Sequence, residues 1–133
     1  MKAKFSLFVS VLVFTSVVAL AQTKKAVSAA STPVVQVYYA HFSARCVTCK
    51  TVESEAKKDL AELYGNKVTF QSLNLDEASS EAFAKKLDVS TQALLIVKGT
   101  KQVNITNEGF MYARTNPAKF KAVIKEKVDE MMK

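Results

Sequence analysis

The chain has 133 residues, two of them cysteine, and a formal net charge of +7. That length supplies one small domain with a real but modest core. The basic residues are spread along the chain without interleaved aromatics, a pattern that argues against nucleic-acid binding and for a solvated basic surface.

Met1-Lys2-Ala3-Lys4 is a short basic segment, Phe5 to Val18 is uncharged and mostly apolar, and Ala19-Leu20-Ala21 is a small-x-small site. This is the pattern of a secretory signal peptide over residues 1–21, with Gln22 as the mature N-terminus. The apolar run is short for a membrane span, which needs about 20 residues. Loss of Lys2 and Lys4 takes the formal charge from +7 to +5. Residues 22–33 lack periodicity and large apolar side chains and read as a flexible tether to a domain over 34–133.

Val34 to Ala40 is β-branched and aromatic with almost no polar break, as expected of a strand buried on both faces. Tyr38 and Tyr39 read as packing residues of that strand. Cys46 to Tyr64 has helical spacing through Cys49, Val52, Ala56, Leu60 and Leu63, and Gly65-Asn66 stops it. Val68 to Leu75 alternates as a second strand. Ser79 or Ser80 is expected to cap a short helix through Leu87, with Ala82, Phe83 and Leu87 inward. Leu94 to Val97, the turn Gly99-Thr100 and Val103 to Thr106 form a hairpin. Asn116-Pro117 opens a last helix whose inner face is Phe120, Val123, Ile124, Val128 and Met131. Asn104-Ile105-Thr106 matches a glycosylation sequon, a pattern frequent by chance.

The order β-α-β-α-β-β-α predicts an α/β fold. The first two strands form a parallel pair through a helical crossover, the third is joined to the second in the same way, and the hairpin adds an antiparallel edge.

The chemistry-bearing motif is Arg45-Cys46-Val47-Thr48-Cys49-Lys50. It holds both cysteines as C-x-x-C, after a buried strand and at the start of a helix. A bridge between residues three apart closes too small a loop to constrain the unfolded chain much, which favours redox chemistry over a purely structural disulfide. Two alternatives stay open: incidental core cysteines, and a metal or cluster site. The latter lacks ligands unless His41, the sole histidine, or a second subunit supplies them.

With that motif in a βαβ context and β-β-α closing the chain, residues 34–133 resemble the thioredoxin-fold superfamily. Tyr38 to Lys50 resembles, within it, a bacterial exported, nitrophin-type thioredoxin-like branch. The resemblance implies a central mixed four-stranded sheet flanked by helices, and thiol–disulfide exchange. Cys46 is then the exposed attacking thiolate and Cys49 the buried resolving thiol. A helix N-terminus stabilises a thiolate, and Arg45 and Lys50 flank it as tuning charges.

The chain departs from the superfamily's usual pattern in four places. Arg45 stands where tryptophan is usual, and Val47-Thr48 replaces Gly-Pro. The loop that in the family carries a cis-proline and presents backbone to substrate is Ser90-Thr91-Gln92-Ala93-Leu94, so Gln92 or Ala93 takes that place with a trans peptide. Val34 to Ser43 contains no Asp or Glu, so the family's buried acid is missing, and water, Glu53 or His41 must move the proton of Cys49.

These readings predict an exported or periplasmic thiol–disulfide oxidoreductase with no cofactor beyond its own disulfide and no resident metal. Its partners are protein thiols and disulfides and a membrane redox partner, and the chain is a monomer. The alternatives are a non-enzymatic thioredoxin-like binding module and a metal- or cluster-binding dimer through the same cysteines.

Overall fold

In the computed structural model, which describes residues 34–133, strand β1 (Val35–His41) has a hydrogen-bonded neighbour on each side. The signal-peptide and tether readings lie outside the described residues. Helix α1 (Val47–Tyr64) follows β1 and ends at Gly65, whose φ of 55° is one that glycine adopts without penalty. Strand β2 (Val68–Asn74) then pairs parallel with β1, Val35 opposite Val68 and His41 opposite Asn74. After helix α2 (Ala78–Lys86), strand β3 (Ala93–Lys98) pairs antiparallel with the other side of β1. Strand β4 (Lys101–Asn104) pairs antiparallel with β3, giving the order β2-β1-β3-β4. Helices α3 (Thr106–Tyr112) and α4 (Pro117–Met132) complete the chain.

Period-two alternation in β1 and β3 divides the core between the two faces of the sheet. Val35, Val37, Tyr39, Leu94 and Ile96 pack with Val52, Ala56 and Leu60 of α1 and with Phe120, Ile124, Val128 and Met131 of α4. Tyr38, Ala40, Leu95 and Val97 pack on the opposite face with Leu73, Leu87 and the partly buried Phe83 of α2. Burying a side chain of this size contributes roughly 1.5–3 kcal/mol, so the two-sided middle of the sheet is the main source of stability. Val123, expected on the inner face of α4, is half-buried against the first cluster.

The structure corrects several expectations. Strand β3 does not continue a parallel series; it runs antiparallel to β1. The nine residues of α2 span only about 13 Å. The helix then ends in a Schellman turn: the Asp88 amide donates to the Lys85 carbonyl at 3.1 Å and the Val89 amide to the Ala84 carbonyl at 2.9 Å. Asp88 takes a left-handed φ of 54°. The chain doubles back there, and Ala93 enters the sheet opposite Ala40, at the end where β1 and β2 finish.

Within α2, Ser80 and Ala84 are the buried residues, and Ala82 is exposed. The apolar face therefore follows the spacing Ser80, Phe83, Ala84, Leu87, and a buried serine hides its first position. Neither Ser79 nor Ser80 caps the helix. Glu77 is the N-cap and makes no side-chain capping bond.

Strand β4 stops at Asn104, and Thr106 begins α3, a helix not among the elements expected from the sequence. Asn104 Oδ1 accepts the Thr106 amide at 2.9 Å, and the Leu94 amide donates to Thr106 Oγ1 at 2.8 Å. The sequon residues are thus engaged in the turn that launches α3. Gly109 lets this helix approach α1 and α4, because a Cβ there would lie 3.0 Å from Val52 Cγ1 and 3.5 Å from the Phe120 ring.

Candidate functional site

The site forms where β1 ends and α1 begins. Cys46 is the N-cap of α1, with extended backbone (φ −73°, ψ 165°), and its Sγ accepts the Cys49 amide at 3.1 Å. Cys46 is bridged to Cys49, with their Cα atoms 5.1 Å apart. The two cysteines differ in exposure: Cys46 is exposed and Cys49 is 6% exposed. That asymmetry follows from the helix, since a residue three positions into α1 sits on the face carrying Val52 and Ala56 into the core.

The segment between β1 and Cys46 is tied to the end of β2. The Ser43 amide donates to Asp76 Oδ2 at 2.7 Å, and Asn74 Nδ2 donates to Ser43 Oγ at 3.1 Å. The Ser43 hydrogen bonds hold the Asp76 carboxyl below its ordinary range. This anchoring fixes where Cys46 enters the helix.

The flanking charges do not act alike. Arg45 Nη1 forms an ion pair with Glu53 Oε2, so its charge is matched by a carboxylate, whereas Lys50 is exposed. Glu53 lies four residues beyond Cys49, on the same side of α1. His41 is buried at 8% exposure and bonds through Nδ1 to the Phe42 carbonyl at 2.9 Å. A carbonyl only accepts, so Nδ1 carries the proton and Nε2 is the nitrogen left to act as a base. Gln92 and Ala93 divide their roles. Ala93 is buried in the β1–β3 ladder, and the half-buried Gln92 turns its amide onto the Tyr39 hydroxyl. The peptide bonds of this loop are trans, as are all those described.

Two contacts that the sequence does not announce also reach the site. Tyr39, a packing residue by its place in β1, also donates its hydroxyl to the Cys49 carbonyl at 2.9 Å. Arg114, in the turn between α3 and α4, reaches Thr48 Oγ1 at 3.4 Å. A strand tyrosine followed ten positions later by the second cysteine carries no recognisable motif, so only the packed geometry reveals the first contact. Among the described residues, no three His, Cys, Asp or Glu side chains gather as a metal site.

Neither a protein-family model nor a curated protein sequence matches the chain. Among solved structures, a malarial protein is similar at 23% identity over 55% of this chain and 80% of that one, with a TM-score of 0.44. Thioredoxin O2 from Arabidopsis thaliana in its oxidized state is similar at 23% identity over 71% of this chain and 75% of that one, with a TM-score of 0.51. The fold is thioredoxin-like. Placed on this thioredoxin-like fold, the Cys46–Cys49 disulfide supports a redox-type function.

Proposed function

We propose that this protein is an exported thiol–disulfide oxidoreductase of the nitrophin-type thioredoxin-like branch. It is released by cleavage after Ala21 and acts on cysteines of other proteins through Cys46 and Cys49. The observation that supports this reading is the asymmetric pair: an exposed cysteine at the N-cap of α1, bridged to a buried one in its first turn.

In the reducing direction, the Cys46 thiolate attacks a substrate disulfide, forms a mixed disulfide and releases one substrate thiolate. Cys49, deprotonated, then attacks Cys46 Sγ. The internal disulfide forms, the second substrate thiolate leaves and takes up a proton, and two electrons have passed to the substrate. The helix N-terminus stabilises Cys46 as an anion. Glu53, fixed by Arg45, is the carboxylate assigned to the Cys49 proton. The reverse sequence oxidises substrate thiols, and a membrane redox partner resets the pair in either case.

Reduction of insulin and reoxidation of a reduced, unfolded disulfide protein test both directions, with wild type and Cys46→Ser compared. Wild-type turnover that Cys46→Ser abolishes is expected. Negligible turnover by both proteins in both assays replaces the enzyme reading with a binding module on the same fold. N-terminal sequencing of protein recovered outside the cytoplasm should start at Gln22, and an intact Met1 there refutes cleavage.

A further inference from the structure

We propose that Tyr39, held by Gln92, is a positioning residue for the resolving cysteine and couples it to the loop before β3. The inference rests on the exchange reading above and adds a residue to it. Tyr39 is fully buried in β1, on the face covered by α1. Its hydroxyl makes two contacts, donating to the Cys49 carbonyl at 2.9 Å and accepting from Gln92 Nε2. A phenol oxygen has one proton to give, so the Gln92 amide completes its hydrogen bonding without competing for the Cys49 carbonyl.

The surroundings reinforce this directionality. Burial pushes the Tyr39 phenol up from its ordinary value. The Gln92 hydrogen bond and Arg45 pull it down, and Glu53 pushes it up. With burial foremost, the hydroxyl keeps its proton and stays a donor at neutral pH. The result is a continuous line of polar contacts: the loop at Gln92, the central strand at Tyr39, and the backbone of Cys49. That backbone must hold still while Cys46 is engaged with substrate. If Cys49 drifts, the effective concentration of its thiol at Cys46 falls, so the internal disulfide is less favoured relative to the mixed disulfide.

The test is Tyr39→Phe, which removes one oxygen from a buried ring. Gln92→Ala is the second variant, at a half-buried loop position. For each oxidised protein, far-UV circular dichroism establishes folding. The equilibrium of the Cys46–Cys49 couple against glutathione is then measured, with quantitation of the Cys46–glutathione mixed disulfide. Tyr39→Phe should disfavour the internal disulfide by about fivefold, the size of one net buried hydrogen bond, which corresponds to a potential about 20 mV less negative. The mixed disulfide should rise in proportion. Gln92→Ala should move both readouts the same way by a smaller factor, and the double variant should match Tyr39→Phe alone, since Gln92 acts through the hydroxyl.

A wild-type pair that cycles with glutathione while both folded variants keep its equilibrium and mixed-disulfide level overturns the inference and leaves the exchange reading intact. A wild-type pair that does not cycle overturns both. If Tyr39→Phe does not fold, Gln92→Ala decides: an unchanged couple refutes the coupling.

Discussion

Among the described residues, Asp59 is the one buried carboxylate, and its surroundings work against its charge. It sits in α1 facing α4 at 2% exposure. Its Oδ1 is 3.8 Å from Lys121 Nζ, and Oδ2 has no hydrogen-bond partner. Lys121 makes its closer ion pair with Glu62. Burial raises the Asp59 carboxyl above its ordinary value, and attraction to Lys121 does not offset it. The folded protein therefore holds the proton more tightly than the unfolded chain. This contribution to stability is fully present below the ordinary aspartate value of 3.8 and is lost as pH rises through the elevated folded value.

Asp59→Asn keeps the shape and removes the charge. An unsatisfied buried polar atom costs about 1–3 kcal/mol, and more when it is charged. The variant still buries an amide with imperfect partners, so a gain of about 1–2 kcal/mol near pH 8 is expected, shrinking towards zero around pH 3. Urea unfolding followed by circular dichroism, with the disulfide intact, measures both proteins across that range. A gap that does not change with pH refutes the reasoning. So does a wild type that is the more stable protein near pH 8, since the Lys121 attraction would then outweigh burial.

Three further outcomes are expected from the same unfolding assay. Asn116 Oδ1 caps α4 by accepting the Lys119 amide at 3.1 Å, so Asn116→Ala should lose about 1 kcal/mol and Asn116→Ser should recover most of it; equal stability of all three proteins contradicts the capping role. Asp88→Gly should gain a few tenths to about 1 kcal/mol by removing a side chain from left-handed backbone, and a loss would mean that the Asp88 side chain does more than tolerate the turn. Gly109→Ala sets a helix-propensity gain of about 1 kcal/mol against an overpacking penalty of about 1–3 kcal/mol; because Val52 has no exposed surface into which to retreat, a net loss is expected. Val52→Ala in the same chain should shrink that loss, and a more stable single variant would show that the α1–α3 contact yields easily.

The readings that held are those with a strong local cause. β1 is apolar at almost every position, and only a strand covered on both sides suits that pattern. Gly65, Gly99 and Asn116-Pro117 mark ends and turns through backbone chemistry that few other residues share. The exposed Cys46 and buried Cys49 follow from C-x-x-C at a helix start. The readings that failed depend on tertiary packing. The direction of β3 is set by Asp88 in a conformation usually given to glycine, so its signal is nearly silent. Helix α3 has a glycine at its centre, unfavourable by propensity and required by the approach to Val52 and Phe120. Tyr39 and Asp59 carry no such local signal: the hydroxyl contact of Tyr39 with Cys49 and the burial of Asp59 in a charge-rich helix exist only once the elements pack.

The central strand has a consequence for how this chain comes to exist at all. β1 precedes both of its partners: Val35 waits for Val68, and Gln36 waits for Val97. Until those segments arrive, Val35 to Ala40 is an uncharged, β-prone window with both edges open, the composition that seeds intermolecular strand pairing. Pairing across such separations also closes slowly compared with helix formation. The strand at the centre of the finished sheet is thus also a stretch open to aggregation during synthesis and refolding. Substitutions in β1 are therefore expected to act on solubility during that interval as well as on equilibrium stability.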